Sequence, residues 1–460
     1  MVRRNLVAIA TLALMAMPVC SAPVVGDGVT VGHAQADAYS QWGLVAESTQ
    51  FALISHSQGT ENLIISVKVA KSYFMAYDEA VWIYPVPANP GNVSIGSVGA
   101  VEPVSGSFLE TRVESALSNS IDATLWSQVY PFIFALLLPV QLTSNTPSYK
   151  MPEFMSGGNG SSESFQVFQT YQGYGLTTEL IGTNSSSGVD DYLASLQLSL
   201  PESSSSVVDE YVGEDYSFVV SHISNMTEFL ASAPYDYYGS SVYYNVGIAI
   251  SFPCDHIFYP MRLTSSYGET EVPMLIQVLG FVSPHSSAAR MQVGVHYLVG
   301  GRGTIDPMVA SFLRSPTQTY EVEYTELVFD SKASMLTDDL WMDNSQPTGV
   351  GVLKFVRDNP WAAALPIFVL SSAASSLLAT LIVFRMNSPR YGRATMLGLL
   401  NLTTIIGLGF AARYAIDRRL LFRGPHYPLP EHPLAGYLVC FTVLFLFSVV
   451  ALYFAFFYLV

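Results

Sequence analysis

The stretch Trp361-Ala-Ala-Ala-Leu-Pro-Ile-Phe-Val-Leu-Ser-Ser-Ala-Ala-Ser-Ser-Leu-Leu-Ala-Thr-Leu-Ile-Val-Phe384 contains no Lys, Arg, Asp, Glu or His. Two more uncharged apolar runs follow at 394–412 and 434–460. A helix rises about 1.5 Å per residue, so about 20 apolar residues cross a hydrocarbon core about 30 Å thick. Helices also satisfy their own backbone hydrogen bonds where water is absent. The pattern predicts a C-terminal bundle of three transmembrane helices at 361–384, 394–412 and 434–460.

Ionisable side chains inside the bilayer mark proton relays and ion paths. These runs have none, which argues against a pump or an ion-coupled transporter. Ser371, Ser372, Ser375 and Ser376 form a small-residue face on the first run, and Thr403 with Gly407 repeats it on the second. Such faces let backbones approach closely, within one bundle or against a membrane partner. The third run is rich in Phe and Tyr, as lipid contact favours.

The chain opens Met-Val-Arg-Arg, then an apolar stretch and small residues to Ala22, the pattern of a secretory signal peptide at 1–22. Val19 before Cys20 does not suit lipidation. Residues 22–360 carry 11 Lys and Arg against 34 Asp and Glu, and the region after 360 carries 7 Arg against 2 acids. An acidic exterior does not suit nucleic-acid phosphates, so no nucleic-acid partner is expected. Only Cys254 lies in the exported part outside the membrane runs, so no disulfide framework forms there. About 340 residues can supply an ordinary core in its place.

A translocated N-terminal region puts Arg385, Arg390 and Arg393 in the cytoplasm, as the positive-inside tendency prefers. With three spans, however, it puts Arg413, Arg418, Arg419 and Arg423 outside. Either the acidic exterior meets those arginines, or the second run does not cross fully.

Within 23–360 the pattern is β-rich, and the fold class is α+β. Residues 51–54 and 63–69 read as strands around a turn at Ser57-Gln-Gly-Thr60. Glu79-Ala-Val-Trp-Ile-Tyr-Pro-Val-Pro-Ala-Asn-Pro90 reads as a strand whose prolines place its exit at a sheet edge. A helix is predicted at 114–126. A proline-bracketed apolar run at 128–140 is too short to span a bilayer. Ser156–Ser164, 184–188 and 203–206 read as loops, and further strands are expected at 242–252, 274–281, 291–299 and 319–329.

The order Gln50-Phe-Ala-Leu-Ile, Glu61-Asn-Leu-Ile-Ile-Ser-Val, then Val81-Trp-Ile-Tyr-Pro-Val-Pro resembles a family of secreted or membrane-anchored prokaryotic surface proteins. Its hallmark is a Trp-x-x-Pro-Val-Pro element, and it is a domain of unknown function. Asp191-Tyr-Leu-Ala-Ser-Leu, Tyr216-Ser-Phe-Val-Val, Ile250-Ser-Phe-Pro and Ile257-Phe-Tyr-Pro-Met-Arg-Leu extend the resemblance over about 45–282. It implies a surface setting and carries over no activity, cofactor or catalytic residue.

The search for chemistry in the residues is correspondingly lean. There is no Gly-x-Ser-x-Gly elbow, Walker loop or dinucleotide fingerprint, so no catalytic residue is assigned. His56, His222, His256, His285 and His296 lie at no zinc-ligand spacing. Asp338, Asp339, Asp343 and Asn344 offer hard oxygen ligands for calcium, without the spacing of a calcium loop. No cofactor is expected. Asn92, Asn159, Asn184 and Asn225 head glycosylation sequons. Tyr235, Tyr237, Tyr238, Tyr243 and Tyr244 flank a Gly-Ser-Ser turn and are candidate binding aromatics.

The expectation is a multi-pass plasma-membrane protein whose large N-terminal domain lies outside the cell. It would have a non-catalytic binding or scaffold role in the envelope, in contact with membrane lipid and with an envelope protein or glycan. A surface hydrolase with an unrecognised site and an accessory subunit of a membrane complex are the alternatives. The sequence leaves the oligomeric state open.

Overall fold

The computed structural model describes residues 29–34, 42–44, 50–70, 77–129, 160–161, 165–185, 187–197, 199–212, 215–238, 241–285, 293–300, 307–313, 322–384, 391–400, 405–421 and 431–459. The expected signal peptide, the apolar run from 130 onward and Asn159 lie outside these residues. The chain divides into two compact units. One is Met1–Gly106 with Met155–His296 and Gly300–Ser345, and the other is Ser107–Phe154 with Tyr297–Val299 and Gln346–Val460.

The first unit is built on the Trp-Ile-Tyr-Pro-Val strand. That strand, Tyr77–Val86, pairs with Val29–Ala34 on one side and with Ser217–Ile223 on the other. Leu176–Thr183, Phe165–Gly173 and Gly160–Ser161 continue an antiparallel sheet of seven strands. Side chains alternate across a strand, and both faces of this one are buried. Trp82 and Tyr84 join Leu180 and Val219 in a cluster with Ile54, Ile65, Val246 and Ile248 of a larger sheet. Val81 and Ile83 join Ile181, Phe218 and Val220 in a second cluster. Val189, Tyr192 and Val208 from two short helices, Tyr211 from the turn after the second, and Leu263 from a 3-10 segment cover that face.

The prolines do not make this an edge strand. Among the described residues Val29–Ala34 pairs with this strand as far as Ile83, so no described ladder partner faces Pro85 on that side. A missing N–H therefore costs no ladder bond among the described residues there.

The larger sheet runs through Tyr235–Tyr238, Ser241–Pro253, Thr60–Ala70, Gln50–Ser57, Met274–Leu279 and Tyr324–Phe329. Its Gln50–Ser57 and Thr60–Ala70 strands form the expected hairpin. Gln58 and Gly59 have φ of 54° and 71°, the paired positive values of a turn whose twist suits a hairpin. Met274–Leu279 pairs parallel to Gln50–Ser57.

The serine run at 203–206 is helical over Glu202–Asp209, not a loop. Ser204 and Val208 are buried, and the Ser204 and Ser205 amides donate to the Pro201 carbonyl. Burial of one face outweighs the weak helix preference of serine. Tyr211 lies in the turn after this helix.

A third, small sheet carries the site described below. It consists of β1 (Ile257–Tyr259), β2 (Ser283–Pro284) and β3 (Leu340–Asp343), with β3 in the middle.

The second unit is helical: α1 (Leu109–Val129), α2 (Thr348–Asp358), α3 (Pro360–Phe384), α4 (Tyr391–Leu399), α5 (Ile405–Asp417) and α6 (Pro433–Leu459). The helix predicted at 114–126 lies inside α1. Among the described residues two helices, α3 and α6, are long and apolar enough to cross a membrane, with mean hydropathies of 2.2 and 2.6.

The second apolar run, expected as one transmembrane helix at 394–412, is instead divided between α4 and α5. The Arg393 guanidinium donates to the Leu420 carbonyl at 3.0 Å across 27 positions. A continuous helix would hold those residues about 40 Å apart, so the chain reverses between α4 and α5.

The serine face of α3 is used inside this unit. Ser372 donates to the Gly398 carbonyl, and Ser376 donates to the Ala394 carbonyl. Ser376 and Tyr437 hydroxyls lie 2.7 Å apart, and the Ser375 and Ser448 hydroxyls 3.2 Å. A Cβ on Gly398 would stand 2.3 Å from the Ser372 carbonyl oxygen, so the close approach of α4 to α3 needs glycine there. Leu117 and Ile121 of α1 join Ala364, Ile367 and Phe368 of α3 in the same core.

Candidate metal centre

The small sheet places three potential ligands by register. β3 has buried Leu340 and Met342 alternating with half-exposed Trp341 and Asp343. Ile257 of β1 lies opposite Met342, so His256, one residue earlier, comes level with Asp343. On the other flank Ser283 of β2 lies opposite Asp343 and Pro284 opposite Met342. His285 follows, and its amide donates to the Trp341 carbonyl at 2.9 Å. Residues 341 and 343 share the outer face of β3, so both imidazoles reach the Asp343 carboxylate.

The geometry is convergent. His256 Nδ1 and His285 Nε2 lie 2.9 Å and 3.0 Å from the same oxygen, Asp343 Oδ1, each as donor. The rings meet edge to face, with centroids 5.4 Å apart. One nitrogen from each histidine and one carboxylate oxygen all lie within 4.8 Å of one another. A tetrahedral zinc with bonds near 2.1 Å would hold its ligand atoms about 3.4 Å apart. Two edges of the ligand triangle, at 2.9 and 3.0 Å, would open by about half an ångström, and all three atoms already lie within 4.8 Å. The three side chains are 37% to 54% exposed, which leaves coordination positions open to solvent. Hydrogen bonds from His285 and His256 hold the Asp343 carboxyl below its ordinary value, so it stands ready as an anion.

Buried groups brace the strands beneath. Glu61 is fully buried, and its Oε2 accepts from the Phe258 amide of β1 at 2.7 Å. His56 Nε2 donates to the Cys254 carbonyl at 2.7 Å, and the Cys254 amide donates to Gly59. This ties the segment before His256 to the 58–59 hairpin. Before β3, Asp339 is buried and its Oδ1 accepts from Tyr211 Oη at 2.8 Å and from the Arg262 amide at 3.0 Å. The Arg262 guanidinium lies 3.8 Å from Asp339 Oδ2 and 5.1 Å from the centre of the Tyr211 ring.

The structure thus separates the four oxygen ligands proposed for calcium. Asp339 faces inward to Tyr211 and Arg262, Asp343 turns to the histidines, and Asp338 does not join that group. Asn344 is exposed in the following turn. The histidines that no spacing motif links are the ones the sheet brings together. The separations from Asp343 are 87 and 58 residues, far beyond the reach of a local pattern.

Cys254, two residues before His256, has its thiol pushed up to about 11 by burial, with the nearby Glu61 adding to the effect. It is a protonated packing residue at neutral pH and not a nucleophile.

The tyrosine candidates form a hairpin, not a loop. Tyr235–Tyr238 pairs with the start of Ser241–Pro253, Tyr235 opposite Tyr244 and Asp236 opposite Tyr243. Tyr244 is buried against Phe229, with ring centres 5.7 Å apart, while Tyr235 is exposed. Lys68 lies 5.9 Å from the Tyr243 ring centre. The side chains of Tyr237 and Tyr238 lie outside the described residues.

Of the sequon asparagines, Asn92 and Asn184 are exposed in turns. Asn92 borders a shallow depression of about 450 Å³ with Thr60, Ser94, Ser251, Phe252 and Pro253. Asn225 is exposed but occupied as a helix cap. Its Oδ1 accepts from the Glu228 backbone amide at 3.1 Å and its side-chain Nδ2 donates to the Glu228 carboxylate at 3.4 Å, so its side chain caps the helix.

No family model, curated protein or solved structure matches this chain.

Proposed function

We propose that this protein is a membrane-anchored, non-catalytic binding protein of the cell surface, which takes up a divalent transition-metal ion at His256, His285 and Asp343. The observation that carries the reading is the convergence of two imidazole nitrogens on one carboxylate oxygen at an exposed sheet margin. Two imidazoles and one carboxylate suit zinc, copper or nickel better than calcium or magnesium, which prefer oxygen. The open positions leave room for a donor from a partner protein or glycan, so the ion can serve as the point of attachment.

In this reading the chain is multi-pass, with α3 and α6 as spans and the acidic β-rich unit outside the cell. The resemblance to anchored prokaryotic surface proteins supports that setting, as do the exposed sequon residues Asn92 and Asn184. An accessory-subunit role is less favoured, because the serine face of α3 is occupied by α4 and α6.

The test is a titration of the full-length protein in detergent with Zn²⁺ and Cu²⁺, followed by calorimetry. One equivalent should bind per chain, and His256→Ala or His285→Ala should each weaken binding at least about tenfold, about 1.4 kcal/mol. Binding that does not saturate, or that is untouched by both substitutions, would overturn the proposal.

A further inference from the structure

The conflict in arginine placement has a structural answer. The inference drawn from it rests on the membrane setting proposed above, but not on the metal site.

Three contacts locate the hairpin of α4 and α5 along α3. Ala394 meets Ser376 and Gly398 meets Ser372, so α4 runs antiparallel to α3, starting from the Phe384 end. Ser372 lies near the middle of α3, about 18 Å from Phe384 at 1.5 Å per residue. The hydrocarbon midplane lies about 15 Å below the surface. The chain then turns back, and Leu420 beyond α5 is bonded to Arg393 at the start of α4. The hairpin therefore rises about half-way along the spanning helix and returns to its starting level.

α6 also begins at that level. Tyr437 stacks on Phe384 with ring centres 6.5 Å apart, and a Cβ on Gly436 would lie 3.5 Å from Val383. Farther on, Phe445 packs on Phe368 at 6.2 Å, so α6 runs antiparallel to α3.

The consequence for charge is direct. Between 385 and 423 the sequence has seven arginines and one acid, Asp417. Of the described arginines, Arg393 starts the hairpin and Arg413, Arg418 and Arg419 end it, all exposed. Arg413 pairs with Asp417 at 3.1 Å, and Arg418 lies 5.9 Å from the Tyr414 ring centre. Asp417, and Glu431 just before α6, cannot balance the rest, so a net positive rim remains at the base.

We infer that α4 and α5 form a re-entrant hairpin that enters and leaves the bilayer on one face, and that its arginine-rich base is a docking surface for anionic phospholipid headgroups. Guanidinium groups pair with phosphate through two hydrogen bonds, and basic residues beside a span are drawn to anionic lipid. The positive-inside tendency then assigns this face to the cytoplasm, since seven arginines lie between α3 and α6 against Lys354 and Arg357 just before α3. The N-terminal end of α3 then lies at the opposite face of the bilayer from the rim. The C-terminus, after α6, returns to the outer face, where three full spans would leave it inside.

Labelling tests the topology. In full-length protein with its three native cysteines replaced by alanine, single cysteines are placed as Tyr391→Cys and Glu431→Cys, and a protease-cleavable tag is added after Val460. Intact and permeabilised cells are treated with a membrane-impermeant maleimide. Both cysteines should label only after permeabilisation, and external protease should remove the tag from intact cells. Labelling of Glu431→Cys in intact cells with the tag protected would mean a third full span and overturn the hairpin. Release of the whole chain by an alkaline carbonate wash would instead overturn the membrane setting itself.

For the lipid, wild type and the double variant Arg413→Gln/Arg418→Gln are reconstituted in nanodiscs of phosphatidylcholine with or without phosphatidylglycerol. The anionic lipid should raise the unfolding temperature of wild type, and raise it less in the variant. An equal response in both proteins, or none in wild type, would refute the lipid surface.

Discussion

Glu61 offers the sharpest check on how the first unit is held together. Its carboxyl is fully buried, and Oε2 accepts from the Phe258 amide while Oε1 has no hydrogen-bond partner. Burial pushes its pKa well above the ordinary carboxyl range, and the Phe258 amide opposes this only in part. The groups that face it are the Cys254 thiol, itself raised, and His56, its cross-strand partner. The folded state therefore holds a proton that the unfolded chain releases. A raised folded-state pKa contributes stability that is complete below the unfolded value of about 4.5 and is lost as pH rises toward the folded value. Within that window the loss approaches about 1.4 kcal/mol per pH unit. Glu61→Gln keeps the shape and the acceptor for Phe258 and cannot ionise. Its unfolding temperature should match wild type near pH 4.5 and exceed it progressively above that, by an amount worth up to a few kcal/mol. Glu61→Ala should lose stability at every pH, by about 2–4 kcal/mol, because it orphans a buried amide and opens a cavity. The assay is thermal unfolding of the full-length protein in detergent from pH 4.5 to pH 8. Parallel pH profiles for wild type and Glu61→Gln would refute the reasoning.

Other consequences are checked by the same unfolding assay at neutral pH. Asp339→Ala should cost about 2–4 kcal/mol, since it leaves the Tyr211 hydroxyl and Arg262 without their buried acceptor, and Tyr211→Phe should cost about half of that. Asn225→Ala should cost about 1 kcal/mol by removing the helix cap, and Asn225→Asp should keep most of that stability. Gly398→Leu should unfold the helical unit at markedly lower temperature because α4 can no longer approach α3. Gly392→Leu, where an added Cβ meets nothing within 4 Å, should be close to neutral.

Much of the β-rich architecture was legible wherever local chemistry and tertiary demand agree. The Gln58-Gly59 turn and its alternating flanks predict the hairpin that forms. The helix at 109–129 and the strands at 241–253 and 274–279 follow the apolar pattern. The misreadings arise where tertiary context overrides a local rule. Pro85 suggests an edge, but its strand is flanked by Val29–Ala34 and Ser217–Ile223. The serines at 203–206 suggest a loop, but Ser204 and Val208 face a core that rewards a helix. The proposed metal ligands were invisible for a related reason. His256 and His285 flank strands of three and two residues, too short to show a period. Their meeting depends on the registers of both with β3. Asp343 alone carried a hint, standing at the end of an alternating strand within an acidic cluster.

The second apolar run shows what hydropathy can and cannot say. Composition reports that a segment prefers lipid or a core, and 394–412 meets that test, though less strongly than α3 and α6. Whether such a segment crosses depends on a reversal, and the reversal depends on what its two halves pack against. Here the deciding features are the absent side chain of Gly398 beside Ser372 and the hydrogen bond that closes Arg393 on Leu420. Neither registers in a windowed average. The charges carried a hint: three full spans would place four arginines on the unfavourable side, whereas a hairpin would keep the described Arg393, Arg413, Arg418 and Arg419 at one end. A clash between hydropathy and charge within one short segment is thus evidence for re-entry, because sorting arginines to one face is a constraint that a half-crossing satisfies and a full crossing does not.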